Sequence, residues 1–138
     1  MRFWDASAIV PLVLDEPNAR HVQELLERDE QMAVWWSTPV ECWSALARAQ
    51  RAQRIGADVV DDANRLLDAL RSAWYEVAPS EEVRMQARRL LRVHRLRAGD
   101  ALQLAAALVW AGTWAEGEFV CLDERLREAA RLEGLAPV

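Results

Sequence analysis

Short apolar segments alternate with amphipathic segments along the whole chain, and this alternation limits the folds that the chain can adopt. The apolar segments are four or five residues long, which suits buried strands, and they cover residues 2–5, 32–36, 74–78, 119–122 and 135–138. The amphipathic segments repeat apolar residues at helical spacing and cover residues 18–28, 39–53, 58–73, 81–93, 100–111 and 124–132. Strands that alternate with helices predict an α/β fold, a three-layer sandwich in which helices flank a mostly parallel central sheet of about five short strands.

The length and composition favour one globular domain over residues 1–138. The sequence contains no internal repeat, linker or low-complexity tract, and 52% of its residues are hydrophobic, which is within the globular range. Its start has no apolar segment typical of a secretion signal, and no stretch of about 18 apolar residues follows, so we expect a soluble cytoplasmic protein without a membrane segment. Cys42 and Cys121 lie in apolar segments, which predicts buried free thiols rather than a disulfide or a zinc site.

Four acidic residues stand where a predicted strand ends or a predicted helix begins: Asp5, Glu41, Asp100 and Asp123. In a parallel sheet, the carboxyl ends of the strands and the first turns of the following helices line one edge, where ligands bind. We therefore expect the four side chains to converge. Converging carboxylates repel one another unless a cation neutralises them, and Mg²⁺ or Mn²⁺ prefers such oxygen ligands. No cluster of His and Cys offers a different metal site.

A metal ion held by these acids would supply the chemistry of a nuclease. Such an ion orients and deprotonates water, polarises a phosphodiester and neutralises the charge that develops on the leaving oxygen. The number of ions and the identity of the general base stay open at this point.

Each acid alone also has a purely structural interpretation. Asp5 and Asp123 are each placed to cap the N-terminus of a helix, and Asp100 could be an ordinary residue where a helix begins. Residues 38–41, Thr-Pro-Val-Glu, have the pattern of a capping box with Thr38 as the N-cap and Glu41 at the third helical position. The functional interpretation therefore depends on the joint placement of the four acids.

The charged residues exclude two other classes of protein that gather acids at strand ends. All 17 basic residues are arginine, so chemistry that needs a lysine is excluded. Response-regulator receiver domains and haloacid-dehalogenase-like phosphatases both use a lysine, and the phosphatases also need a second Asp at the position of Ser7. The formal net charge of −5 argues weakly against a broad electrostatic grip on nucleic acid.

Characteristic segments surround the acids from one end of the chain to the other. Asp5-Ala6-Ser7-Ala8-Ile9-Val10 has the form Asp-x-Ser/Thr-Ala, Asp15-Glu16-Pro17 follows as a loop, residues 99–107 read Gly-Asp-Ala-Leu-Gln-Leu-Ala-Ala-Ala, and Cys121-Leu122-Asp123 follows a strand. Together with Glu41 near the start of a helix, these segments resemble the PIN-domain nucleases, and especially the VapC-type toxins of bacterial and archaeal toxin–antitoxin pairs. That family often has Thr or Ser at the position of Cys121. The cysteine of this chain departs from that pattern, and the departure affects a hydroxyl contact near the metal.

The resemblance implies a PIN-like fold and a metal-dependent ribonuclease. It implies that Asp5, Glu41, Asp100 and Asp123 are the catalytic residues, acting as metal ligands or as organisers of metal-bound water. Asp5 and Asp100 are then the first candidates for direct ligands, and Ser7 has a supporting role. The family cuts single-stranded or structured RNA with Mg²⁺ or Mn²⁺, often as a homodimer, and is inhibited by a small cognate antitoxin protein. The alternatives are a PIN-fold RNA-processing nuclease without an antitoxin and a non-catalytic scaffold of the same fold.

Four arginines before Asp100 repeat at three- to four-residue spacing: Arg84, Arg88, Arg92 and Arg95. They are candidate RNA-binding residues, although a solvated helix face shows the same pattern. His94 lies among them without a partner for catalysis, so we expect a surface or boundary residue.

The chain has seven tryptophans, which is many for its length. Five of them are compatible either with core packing or with an exposed surface for a partner or a dimer. These are Trp35, Trp36, Trp43, Trp110 and Trp114.

Overall fold

The computed structural model describes residues 1–112 and 117–138 and contains one sheet of five strands. The strands are β1 (Arg2–Trp4), β2 (Met32–Trp35), β3 (Tyr75–Val77), β4 (Glu118–Val120) and β5 (Ala136–Pro137). Their order is β3-β2-β1-β4-β5, and every neighbouring pair is parallel. The predicted α/β fold is confirmed, and each strand is shorter than the apolar segment that predicted it.

Seven α-helices lie within the described ranges. They are α1 (Ala6–Leu14), α2 (Arg20–Arg28), α3 (Thr38–Arg51), α4 (Ala57–Arg71), α5 (Glu81–Val93), α6 (Ala98–Ala111) and α7 (Glu124–Leu132). The helix predicted from residue 18 begins at residue 20, because a short 3-10 turn at Pro17–Ala19 precedes it. The helix predicted from residue 100 begins at Ala98, so Asp100 lies in its first turn. None of the described helices is long and apolar enough to cross a membrane.

Alternate strand residues face opposite sides of the sheet, and this alternation divides the core into two halves. Phe3 and Phe119 pack against α5, α6 and α7 on one side. Trp4 and Val120 pack against α1, α2, α3 and α4 on the other side. The described chain therefore forms three layers, with the sheet between two groups of helices, as the alternation predicted.

The tryptophans divide between core and surface. Trp35 and Trp110 are buried, as core packing requires, whereas Trp36 and Trp43 leave 54% and 42% of their surface exposed. Trp114 lies outside the described residues. Core packing therefore explains only part of the set. The two cysteines are free and buried, which confirms the prediction for the thiols.

Gly117 allows the end of α6 to approach the start of β4. A Cβ atom at this position would lie 2.7 Å from Ala111 Cβ, which is closer than real Cβ atoms approach, and 3.1 Å from Leu135 Cδ2, which is a tight contact. The absence of a side chain at Gly117 therefore brings the helix that carries Asp100 against the strand that leads to Asp123.

The sheet has a topological switch point between β1 and β4. The chain leaves β1 toward β2 and β3 on one side and leaves β4 toward β5 on the other. In open parallel sheets, ligands bind in the crevice beyond the carboxyl ends of the strands at such a point. Asp5 directly follows β1, and Asp123 directly precedes α7 after β4. Two of the predicted site residues therefore flank this crevice.

Candidate active site

A cleft of about 310 Å³ opens at the switch point of the sheet. It is lined by all four predicted acids, and each comes from a different part of the fold. Asp5 lies in the β1–α1 connection, Glu41 on α3, Asp100 on α6 and Asp123 in the β4–α7 connection. The other lining residues are Ala6, Ser7, Val10, Pro11, Ala45 and Arg48. The four side chains therefore meet at one edge of the sheet.

Asp5 is the most deeply buried of the four acids, with 4% of its surface exposed. The backbone N–H of Ser7 donates to its Oδ2 at 2.9 Å, so this carboxylate caps α1 as well as lining the cleft. The thiol of Cys121 donates to the same oxygen at 3.7 Å. Burial raises the pKa of Asp5, and the charge of Asp100 raises it further.

Ser7 joins the two chain segments that carry Asp5 and Asp123. Its hydroxyl accepts a hydrogen bond from the backbone N–H of Leu122 at 2.9 Å and lies 3.6 Å from the thiol of Cys121. The first turn of α1 is therefore fixed to the segment that follows β4. Ser7 also lines the cleft, so it lies beside the acids that it helps to position.

Glu41 projects from the first turn of α3 and is held by two donors. The hydroxyl of Ser37 and the side-chain amide of Gln103 both donate to its Oε1 at 3.1 Å. Burial raises the pKa of Glu41 to about 6, and the negative charges of Asp5 and Asp100 contribute to the increase.

The capping box predicted at residues 38–41 does not form, so that prediction is wrong. Ser37 is at the N-cap position, and no side chain caps the helix there. Thr38 lies inside the helix, fully buried, and its hydroxyl accepts a hydrogen bond from Gln103 Nε2 at 3.1 Å. The hydroxyl expected to cap α3 is therefore engaged by a buried amide of α6, and Glu41 is free to point into the cleft.

Asp100 and Asp123 form the more open half of the cleft. Asp123 is exposed, and its Oδ1 accepts a hydrogen bond from the backbone N–H of Leu126 at 2.9 Å, so it caps α7 as predicted. Asp100 is half-buried, and burial raises its pKa, to which the charge of Asp123 adds. A backbone hydrogen bond from Arg97 opposes this increase in pKa, and the charges of Arg125 and Arg97 oppose it further.

The four carboxylates are not neutralised within the described part of the chain. None of the ion pairs between described residues includes any of them. Neighbouring carboxylates repel one another, and a cation relieves that repulsion. Mg²⁺ and Mn²⁺ prefer oxygen donors of this kind. In the described ranges, however, no group of three or more His, Cys, Asp or Glu side chains is arranged to hold a metal ion. The donors therefore fit such an ion by their chemistry, but they do not form a ready-made cage.

Comparison with known proteins identifies the family. The sequence model of the PIN domain matches residues 2–132. The chain belongs to the PIN-domain family. A crystal structure of PAE2754 from Pyrobaculum aerophilum is similar over 99% of this chain and 83% of its own, with a TM-score of 0.65 and 23% identity, and this likeness concerns the fold alone. No curated protein matches the chain by sequence.

PIN domains are generally nucleases and typically depend on a metal. Cys121 stands at the position where the resemblance of the sequence led us to expect Thr or Ser. Its thiol contacts Asp5 Oδ2 and, at 3.6 Å, the backbone carbonyl of Asp123. Burial raises the pKa of the Cys121 thiol, so the thiol stays protonated and acts as a weak donor near neutral pH. A thiol therefore takes the place of the expected hydroxyl between two of the acids.

The four arginines predicted as candidate RNA-binding residues lie in two different places in the PIN domain. Arg84, Arg88 and Arg92 are on the exposed surface of α5, and Arg84 pairs with Glu81. Arg95 lies beyond the end of α5, in the connection to α6, and lines a second cleft. None of the four lines the acidic cleft.

Three residues near the acids were missed by the sequence analysis. Gln103 had a usable signal, because a polar residue in an apolar helix needs a buried partner. Arg48 also had one, since it follows Glu41 by two helical turns on the same face of α3, and it lines the cleft. Arg125 had no such signal, because an exposed arginine is ordinary in the first turn of a surface helix.

Proposed function

We propose that this PIN domain is a divalent-metal-dependent endoribonuclease that hydrolyses RNA phosphodiester bonds, and that it is the toxin of a type II toxin–antitoxin pair. One observation carries the catalytic part of the proposal. Four carboxylates from separate elements share one cleft without an ion pair among the described residues, and burial raises the pKa of three of them. Gathering negative charge in this way is costly to the fold unless a bound cation offsets the repulsion.

In the proposed site, Asp5 and Asp100 are direct ligands of Mg²⁺ or Mn²⁺, and Glu41 and Asp123 bind the ion directly or through water. Such an ion, when bound, lowers the pKa of a coordinated water and polarises the phosphodiester for in-line attack. One or two carboxylates with several waters is the coordination that Mg²⁺ usually adopts, which suits acids that are near one another without forming a closed cage.

Other residues orient the acids or bind the substrate. Ser37 and Gln103 donate to one oxygen of Glu41, which fixes the direction of that carboxylate. The helix-capping hydrogen bond to Asp5 does the same at the opposite side. Arg48 adds a positive charge to the wall of the cleft, where a guanidinium binds a phosphate oxygen of RNA.

Cleavage of RNA by purified protein tests the catalytic proposal. The assay uses a panel of single-stranded and structured RNAs with Mg²⁺ or Mn²⁺. Asp5→Asn keeps the shape of the side chain but removes its charge, and we expect it to lower the cleavage rate by at least about a hundredfold. Asp58→Asn, in the first turn of α4, is the matched control and should cleave at the native rate. A chelator should abolish cleavage by the native protein and by Asp58→Asn.

Cleavage that is indifferent both to the chelator and to Asp5→Asn would contradict the acidic-metal mechanism. Thermal unfolding adds a measurement that needs no substrate. Mg²⁺ or Mn²⁺ should raise the Tm of the native protein and not that of Asp5→Asn, because a ligand that binds only the folded state stabilises it. If the native protein neither cleaved RNA nor gained Tm on addition of Mg²⁺ or Mn²⁺, the alternative of a non-catalytic PIN-fold scaffold would be favoured.

The toxin part of the proposal is supported by the resemblance of the segments around Asp5 and Asp100 to VapC-type toxins. Controlled expression in a bacterium should arrest growth, and Asp5→Asn should relieve the arrest. A small protein encoded next to this chain should restore growth and co-purify with it, and light scattering should give the mass of a homodimer. Growth that is unaffected by the native protein would favour a PIN-fold RNA-processing nuclease without an antitoxin.

A further inference from the structure

A second cleft, larger than the acidic one, opens between the α5–α6 connection and α7. Its volume is about 560 Å³, which is within the range of sites that bind small molecules. His94, Arg95 and Leu96 line it from the connection, and Arg125, Glu128 and Leu132 line it from α7. We call this second site the α7 cleft.

The two arginines of the α7 cleft carry charges that the described part of the chain does not neutralise. Arg95 and Arg125 are exposed, and neither forms an ion pair with a described residue. The acid that lines the same cleft, Glu128, pairs instead with Arg131 on α7. The chain has a net charge of −5, yet this one cleft holds two guanidinium groups without an ion pair among the described residues. Their charges favour a negatively charged ligand in the cleft.

The shape of the α7 cleft is fixed by polar contacts beneath it. His94 Nε2 lies 2.7 Å from Glu133 Oε1, and Arg89 of α5 donates to the same oxygen at 3.1 Å. The side chains of His94 and Glu133 are only 10% and 12% exposed. These contacts join the start of the α5–α6 connection to the residue after α7. His94 is therefore a boundary residue, as predicted, and the cleft is a formed feature of the fold.

The α7 cleft adjoins the acidic cleft. Asp123 lines the acidic cleft, and Arg125, two residues further along in the first turn of α7, lines the α7 cleft. On the opposite wall, Arg95 lines the α7 cleft, and Arg97 is the N-cap residue of α6, whose first turn carries Asp100. Positive charge therefore extends from the α7 cleft to the edge of the acidic cleft.

The walls of the α7 cleft combine these charges with apolar surface. Leu96 is half-buried, and Leu132 is exposed. Single-stranded nucleic acid needs both kinds of surface, because its phosphates pair with arginine while its bases pack against apolar side chains or guanidinium planes. A simple inorganic anion would make no use of the two leucines.

We propose that the α7 cleft binds the single-stranded RNA that flanks the scissile phosphate. Arg95 and Arg125 contact backbone phosphates, and Leu96 and Leu132 contact a base. The identity of this ligand rests on the proposed ribonuclease function, so binding is tested separately from cleavage.

The test uses fluorescence anisotropy with Asp5→Asn protein, which retains the α7 cleft. The probe is a fluorescein-labelled single-stranded RNA of mixed sequence, about 12 nucleotides long, titrated in Mg²⁺ over a range of NaCl concentrations. We expect Arg95→Gln and Arg125→Gln each to raise the Kd on the order of tenfold at low salt. Each should also reduce the slope of log Kd against log salt by about 0.7, the value for one phosphate contact to a single strand. Arg65→Gln, on α4 at the other side of the sheet, should change neither quantity.

Each outcome separates the α7 cleft from the catalytic proposal. If Arg95→Gln and Arg125→Gln bind RNA as Arg65→Gln does, the α7 cleft is not an RNA site, even when the native protein cleaves RNA. If both variants lose affinity and salt dependence, the inference stands, even when no RNA is cleaved and the proposed function fails. Stronger competition by a polyglutamate peptide than by unlabelled RNA of the same length would also overturn the inference, in favour of an acidic protein partner.

Discussion

Among the acids of the cleft, Glu41 has the clearest link between its surroundings and the stability of the protein. Burial raises its pKa to about 6 from an ordinary value of 4.5. The folded protein therefore binds a proton at this position more tightly than the unfolded chain does. The resulting contribution to stability is fully present below the ordinary pKa and is lost as the pH rises through about 6. At neutral pH, the metal-free fold must hold an ionised Glu41 beside Asp5 and Asp100.

Glu41→Gln should therefore stabilise the metal-free protein. The glutamine keeps an oxygen that accepts from Ser37 and Gln103 but carries no charge to repel the other acids. After allowance for solvent screening, we expect the free energy of unfolding at about pH 7.5 to rise on the order of 1 kcal/mol, and the Tm by about 2–5 °C. The native protein should gain Tm between about pH 7.5 and pH 5.5, and the variant should gain less. Thermal unfolding with a chelator measures both effects.

The control for this prediction is Glu30→Gln, which removes a charge from an exposed glutamate outside the cleft. Its Tm should follow the native pH dependence. If Glu41→Gln were less stable than the native protein at neutral pH without metal, then hydrogen bonding to the carboxylate would outweigh the repulsion between the acids.

At the scale of the elements, α3 and α6 are joined at the cleft by a buried amide. Gln103 of α6 donates to Thr38 and to Glu41 of α3 at 3.1 Å, and both Gln103 and Thr38 are fully buried. Loss of one partner while the helices stay packed would leave buried polar groups without hydrogen bonds, at about 1–3 kcal/mol for each group. Because α6 also carries Asp100, the amide sets the relative position of two acids of the site.

Gln103→Leu should lower both stability and cleavage. We expect a loss of about 1–3 kcal/mol in the free energy of unfolding, because the Thr38 hydroxyl and the Glu41 carboxylate lose their shared donor. A positioning role also predicts a fall in kcat with little change in KM, since Gln103 does not line the cleft. Thr38→Val and the double variant complete a cycle, and their effects on unfolding should be less than additive.

Gln50→Leu, at an exposed position on α3, is the control for the amide and should change stability by less than about 0.5 kcal/mol. Additive effects of Gln103→Leu and Thr38→Val on chemical denaturation would mean that the two side chains act independently, and the bridge between the helices would then be energetically unimportant.

The starts of α3 and α7 illustrate how far a local pattern predicts an element. Asp123 caps α7 as predicted, because its partner is the backbone N–H of Leu126, which is close in sequence. The pattern at residues 38–41 placed the start of α3 to within one residue. It predicted neither the N-cap, which is Ser37, nor the partner of Thr38, which is Gln103, 65 residues away. Local spacing therefore predicted α2 to α7 with ends correct to within two residues, whereas hydrogen bonds between helices depend on how the layers pack.

At the scale of the whole molecule, the alternation of short apolar segments with amphipathic segments was sufficient to predict the three layers. Strands with two buried faces and helices with one apolar face require a sheet between two groups of helices, and a parallel sheet places the acids on one rim. The strand order was not predictable from this pattern. That order places β1 beside β4, so Asp5 and Asp123 line one cleft and the α7 cleft opens beside it.

One sheet forms the common wall of both cores, so we expect the two layers of helices to unfold together. Leu67 of α4 and Leu90 of α5 are fully buried on opposite sides of the sheet. Leu67→Ala and Leu90→Ala should each lower the free energy of unfolding by about 2–5 kcal/mol. Each variant should unfold in a single transition that is shifted to lower denaturant concentration. Circular dichroism and tryptophan fluorescence should give the same midpoint for that transition.

The physical reason for one transition is that neighbouring residues of β1 belong to different cores. Phe3 packs on the side of Leu90, and Trp4 packs on the side of Leu67, so neither core can open while the strand stays fixed. Leu66→Ala, at an exposed position of α4, is the control and should cost less than about 1 kcal/mol. Two separate transitions in either core variant would contradict the single domain predicted for residues 1–138 and would mean that one layer of helices keeps its structure after the other has unfolded.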